Sequence, residues 1–116
     1  MKNYIGTKVV KAEPANRKDG GGEGYKVVYE GGYESRSPKD VFEKAYKIAD
    51  TPLDRMYIER DELADRLGKL SKFLDREDAI QIVGEKQLKL MEWQEIHMHD
   101  YLKALNDRIA LAEDRI

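Results

Sequence analysis

The residues best suited to chemistry lie late in the chain, on a single strip. Leu90, Trp93, His97, Tyr101, Ala104 and Arg108 recur at intervals of three or four, the spacing that brings side chains onto one helix face. A purine needs a flat surface to stack on, which Trp93, Tyr101 or the guanidinium plane of Arg108 supplies, and diphosphate oxygens suit the forked donors of arginine. The adjoining "NDR" adds the amide of Asn106 and the carboxylate of Asp107, both able to bond base or ribose edges. Three readings of the strip stand side by side. It can be an interface between two copies of the chain, where aromatic residues and arginine are enriched. It can be a planar-ligand site within such an interface, or ordinary half-exposed packing in which Asp107 and Arg108 form a solvated pair of little weight.

Other chemistries fit less well. In "HMHD", His97 and His99 stand two apart and point to different sides of a helix, whereas helical zinc motifs place histidines four apart with a glutamate between. No metal site is expected, and no cofactor. The sequence holds no P-loop, no serine or threonine nucleophile motif and no cysteine to pair with a histidine, so hydrolysis and phosphoryl transfer have no visible machinery. The glycines of "KDGGGEG" lead into a strand rather than a helix N-terminus, so they read as a connecting loop instead of a phosphate cradle. The expectation is a binding protein rather than an enzyme.

Two kinds of element must position the strip. From residue 51 onward the pattern is helical: "TPLD" combines a threonine cap, a first-position proline and an aspartate reaching back. Leu53, Met56, Arg60, Leu63, Leu67, Leu70 and Leu74 then alternate by three and four, the seam of a coiled coil. After a short turn and a break near Gly84 the spacing resumes through Leu88, Met91, Glu95, Met98, Leu102, Leu105, Ile109, Ala112 and Ile116. Folding the second helix back on the first sets Leu74 near Leu88, Leu67 near Glu95 and Arg60 near Leu102. Arg60 and Glu95 are lone polar seam positions, and each needs a partner from water, another chain or a ligand.

Residues 1 to 50 read differently. "YIGTKVVKAEP" predicts a first strand, with Ile5, Thr7 and Val9 on one side and Pro14 as its stop. Residues 15 to 24 form a loop without periodicity. Tyr25, Val27 and Tyr29 alternate in a second strand, Gly31 and Gly32 make a tight turn, and Tyr33 and Ser35 continue a third. Ser37 is then expected to cap a helix, with Pro38 at its first position and Asp40 at its third. Its stripe of Val41, Phe42, Ala45, Tyr46 and Ala49 would cover the sheet, with Arg36 at the edge of that small core. The fold class is α+β: a small N-terminal antiparallel sheet with a docked helix over residues 1–50, then a long antiparallel helical hairpin over residues 51–116 for oligomerisation and ligand binding.

Composition narrows the partners. The formal net charge is −2, without a polybasic block, so duplex nucleic acid is not expected. Charged residues make up 38% of the chain and apolar ones 41%, which suits elongated helices that associate better than a thick core. There is no cysteine, so disulfides and thiolate metal sites are excluded. The first ten residues are too polar for a signal peptide, and no apolar run approaches the roughly 18 residues of a membrane span. A cytosolic protein is the expectation.

The pattern also resembles a known family. "YIGTKVVKAEP" with "GYKVVYEGGYESRSPKDVFEKAY" looks like an N-terminal module of small phage proteins, and "RDELADRLGKLSKFL" to "YLKALNDRI" is similar to a helical family of phages that include crAss-like phages. Together, over nearly the whole chain, they resemble the first type of Thoeris anti-defence protein, a phage-encoded sponge. The resemblance implies sequestration, without cleavage, of a glyco-cyclic isomer of ADP-ribose made by bacterial TIR-domain proteins, in the cytoplasm of the infected host. It also implies a second site for cyclic trinucleotides in some members, and assemblies built from dimers. Pockets of that family lie where chains meet and hold adenine with an aromatic and an arginine. Carried over, Arg108 in "NDRI" is the arginine, with Asp107 beside it; Trp93 is the aromatic by helix face alone. Arg36, Arg55 and Arg60 follow as phosphate contacts. A reading from a different class is a protein-interaction module, in which the charged hairpin docks on a host or phage protein.

Overall fold

The computed structural model describes residues 1–16 and 22–114. The chain divides into two compact units, Met1–Lys47 and the residues from Ile48 onward. The fold is α+β, with the sheet in the first unit and the long helices in the second. The middle of the glycine loop and the last seam position, Ile116, lie outside the described residues.

The first unit is a three-stranded antiparallel sheet in the order β1 (Lys11–Pro14), β2 (Gly24–Val28), β3 (Glu34–Pro38), followed by α1 (Lys39–Ala45). Gly31 and Gly32 sit at φ +91° and +88°, values that a side chain disfavours and the tight connection requires. Val27 is the buried centre, 1% exposed. Above the sheet the rings of Tyr25 and Phe42 stack at 4.3 Å between centroids, and Phe42 and Tyr46 at 5.0 Å. The Tyr25 hydroxyl donates to Glu43 at 2.6 Å, which tethers α1 to β2.

Three expectations for this unit are corrected. The first strand begins only at Lys11, and Ile5, Thr7 and Val9 are exposed. Its neighbour explains why: β2 ends at Val28, the partner of Lys11, and the Tyr29 N–H then turns to the Tyr33 carbonyl, so little ladder remains for an earlier residue to join. Ser37 does not cap the helix, because it still pairs with Tyr25 in the sheet. Pro38 takes the cap position without a side-chain bond, and the Lys39 N–H is satisfied by the Glu23 carbonyl at 3.2 Å. Finally, α1 is shorter than its apolar pattern. Tyr46 turns extended, Ala49 lies beyond the helix, and Val41 and Ala45 are exposed, so Phe42 and Tyr46 alone make the stripe.

The second unit follows its sequence pattern closely. Helix α2 (Pro52–Leu74) opens on a complete capping box: the Thr51 hydroxyl accepts from the Asp54 N–H at 3.0 Å, and the Asp54 carboxylate accepts from the Thr51 N–H at 3.1 Å. A five-residue helix α3 (Ala79–Val83) leads to Gly84, whose φ of +84° with ψ of 162° is open essentially to glycine alone. The break separates α3 from α4 (Glu85–Glu113), 29 residues and about 43 Å long. Helices α2 and α4 pack against one another along their seams. Every described seam position is buried or half-buried. The tightest part joins Leu63, Leu105 and Ile109, with Leu53, Met56, Tyr57, Met98 and Leu102 packed around them.

Candidate functional site

Helix α4 carries two apolar faces. At about 100° per residue, Leu90, Trp93, His97, Tyr101, Ala104 and Arg108 fall within an arc of some 80°, centred roughly 120° from the seam that meets α2. The seam face is closed, with Leu105 2% and Ile109 3% exposed; the strip is open, with Trp93 67% and Leu90 62% exposed. Leu111, also exposed, extends the strip by one turn, and exposed Ile96 flanks it. Neither was singled out by the aromatic and charged pattern, although Leu111 sits three residues past Arg108.

Within the strip the side chains are partly organised. The Trp93 and His97 rings meet edge to face at 6.1 Å, an arrangement that leaves ring surface available for stacking. The Tyr101 hydroxyl crosses the hairpin to donate to the Glu59 carboxylate on α2. That bond, followed by burial and the charge of Glu59, raises the Tyr101 pKa above its ordinary value, and the Arg108 charge opposes the shift. Tyr101 is thus held by α2 on one side and faces the field of Arg108 on the other. On the far side of the hairpin, burial and then the charge of Glu113 raise the pKa of Tyr57, which the Arg60 charge opposes.

The structure brings some of the expected residues together and not others. Trp93, His97, Tyr101 and Arg108 share the open strip. Asp107 does not pair with Arg108; its carboxylate accepts from Lys103 at 3.1 Å, one turn earlier, while Asn106 is exposed. The seam arginine, Arg60, finds its partners within α2, bonding Asp61 at 3.0 Å and lying 5.0 Å from the centroid of the Tyr57 ring. The guanidinium of Arg55 donates to the Ala49 carbonyl at 3.1 Å, and that of Arg36, in the sheet unit, to the Ala15 carbonyl at 3.0 Å. Both of these arginines fasten a loop. Among the described residues no group of three or more His, Asp or Glu side chains is placed to hold a metal ion, and no helix is long and apolar enough to cross a membrane.

Glu59 is the residue that sequence reasoning missed. The expected register set Arg60 near Leu102, so Glu59 and Tyr101 were each one position from a predicted contact. A tyrosine and a carboxylate so close across a hairpin were the available signal.

A family model described as Sequestin matches residues 50–111, just over half of the chain. The chain belongs to the Sequestin family. The match begins one residue before the capping threonine of α2 and ends at Leu111, so it covers the hairpin and the whole strip while leaving the sheet outside. The family name points to sequestration of a molecule. No curated protein and no solved structure matched the chain.

Proposed function

We propose that this member of the Sequestin family is a phage anti-defence sponge. It binds a cyclic nucleotide immune signal, a glyco-cyclic isomer of ADP-ribose or a cyclic trinucleotide, holds it uncleaved, and so keeps a Thoeris-type effector in the infected cell's cytoplasm from firing. The observation that carries the reading is the coincidence of the Sequestin match with the open strip of Trp93, His97, Tyr101 and Arg108. Ring faces take the base, and the Arg108 guanidinium takes a phosphate by charge-assisted bonds. Glu59 holds the Tyr101 ring in place, and the Asp107 carboxylate beside Arg108 is bonded to Lys103 instead. A strip this exposed cannot enclose a small anion alone. A second chain over it supplies the enclosure that tight binding requires.

The test is calorimetric titration of the purified protein with glyco-cyclic ADP-ribose, followed by heat denaturation and chromatography of the released ligand. Saturable binding with the nucleotide recovered intact supports the sponge. Recovery of a cleaved product makes the protein an enzyme; where glyco-cyclic ADP-ribose does not bind, a cyclic trinucleotide is titrated next, and no binding by either discards the reading. The open apolar residues Leu90, Trp93 and Ile96 also favour a second reading, a module that docks on a host or phage protein. Capture of one stoichiometric protein from infected cells, unaffected by Arg108→Ala, would select it.

A further inference from the structure

The N-terminal stretch "NYIGTKVV", residues 3–10, has the composition of a strand and no strand to join. Ile5, Thr7 and Val9 alternate with Tyr4, Gly6 and Lys8, yet Ile5 is 98% exposed, and Tyr4 and Val9 are each 88% exposed. Within its own sheet the stretch finds no ladder, because β2 ends at Val28 and the chain turns at Tyr29. Strand β1, which the stretch leads into, is an outer strand of the sheet. The Ala15 N–H donates to the Gly24 carbonyl at 2.8 Å, and bonded pairs alternate along an antiparallel ladder. Glu13 and Lys11 therefore bond inward to β2, while Ala12 turns its N–H and carbonyl to the outside. Pro14, which has no N–H to give, falls on the same outward set, where a sheet tolerates it. Carried back along the chain, the alternation puts the backbone groups of Val10, Lys8, Gly6 and Tyr4 on that open edge. We propose that residues 3–11 of two copies pair as antiparallel strands across a two-fold axis at Thr7, joining their sheets edge to edge.

The side chains select the register. A two-fold pair is reciprocal, so with the axis at Thr7 each Ile5 faces Val9 of the partner subunit and each Tyr4 faces Val10 of the partner subunit. At the centre Thr7 faces Thr7 of the partner subunit. Aromatic, β-branched and threonine pairs of this kind are the ones that stabilise neighbouring strands. Lys8 faces Gly6 of the partner subunit and Lys11 faces Asn3 of the partner subunit, so no like charges are opposed. An axis at Lys8 would instead set that lysine against its own copy. An axis at Val9 would put Ile5 against Glu13 of the partner subunit, and one at Gly6 would put Val9 against Asn3 of the partner subunit. The Lys8 ammonium lies 4.4 Å from the centroid of the Tyr29 ring, which holds the stretch beside the end of its own hairpin. An isolated two-stranded ribbon is marginal in water, but each strand here runs on into a three-stranded sheet, and pairing closes an edge otherwise open to any strand.

The pairing owes nothing to the ligand reading, and its test uses the intact chain without nucleotide. Amide exchange is followed residue by residue by nuclear magnetic resonance at rising protein concentration. The N–H groups of Tyr4, Gly6, Lys8 and Val10 are expected to become protected while those of Ile5, Thr7 and Val9 stay fast, since only alternate residues bond across an antiparallel pair. Fast exchange of all seven at every concentration overturns the proposal. So does protection that does not vary with concentration, which marks a stretch folded onto its own chain. The register is checked with thiols, which are unambiguous because the chain has no cysteine. Under gentle oxidation Thr7→Cys is expected to give a disulfide dimer by itself, and Ile5→Cys and Val9→Cys to give one only when the two are mixed. Equal cross-linking of all three single variants marks random collision of free ends and overturns the pairing, as does cross-linking of Val9→Cys alone or of none.

Discussion

The two faces of α4 have similar apolar content and opposite fates. Leu105 and Ile109 on the seam are nearly inaccessible, while Trp93 and Leu90 on the strip are about two-thirds exposed. The seam is aliphatic, the kind of surface that packs densely against a facing helix. The strip is aromatic and cationic, with its larger groups spaced by alanine and histidine. Within the hairpin, α4 gives its seam to α2 and leaves the strip open.

The largest effect expected to separate the faces is on stability. Leu105→Ala should cost roughly 2–5 kcal/mol by chemical denaturation, since it opens a cavity at the tightest point of the hairpin. Leu90→Ala, measured dilute enough to keep chains apart, should change little. Equal losses would erase the distinction between the faces. The next effect is on binding: Arg108→Ala should weaken nucleotide affinity by about tenfold or more through loss of a charge-assisted contact, with the unfolding midpoint of the dilute protein unchanged. Unaltered affinity would remove Arg108 from the site.

A subtler measurement probes the bond that ties the two faces together. The Tyr101 pKa is raised in the folded chain by Glu59, so the bond contributes its full stability below the ordinary tyrosine pKa of about 10. As pH rises through that value the unfolded state loses its proton first, and the contribution disappears as pH passes the raised folded value. Because Tyr57 and Tyr25 are also raised, the check is a difference: wild type should lose stability faster than Tyr101→Phe above pH 10, and parallel curves would mean that Glu59 does not hold the phenol. The smallest effect is expected at Asp107→Asn, which breaks an exposed pair with Lys103 worth at most about 0.5 kcal/mol. A larger loss of affinity than of stability there would return Asp107 to the site.

The helical unit was largely legible in the residues because its determinants are local. Thr51, Pro52 and Asp54 act within one turn, and the three–four spacing of leucines specifies which face is buried whatever it is buried against. In the sheet unit the same style of reading misjudged Ser37, whose sequence context suits a cap but whose backbone is claimed by Tyr25 across the sheet. It also extended the first strand back to residues whose partner strand has already begun to turn.

The candidate site divides in the same way. That Trp93, His97, Tyr101 and Arg108 share a face follows from helix geometry and was determined by the sequence alone, as were the capping box, the seam and the break near Gly84. Only the tertiary structure decided that this face stays open, that Glu59 holds Tyr101, and that Arg36, Arg55 and Arg60 are occupied by carbonyls or neighbours. A helix repeats by rules internal to one segment, whereas which partner answers a side chain depends on where the rest of the chain arrives.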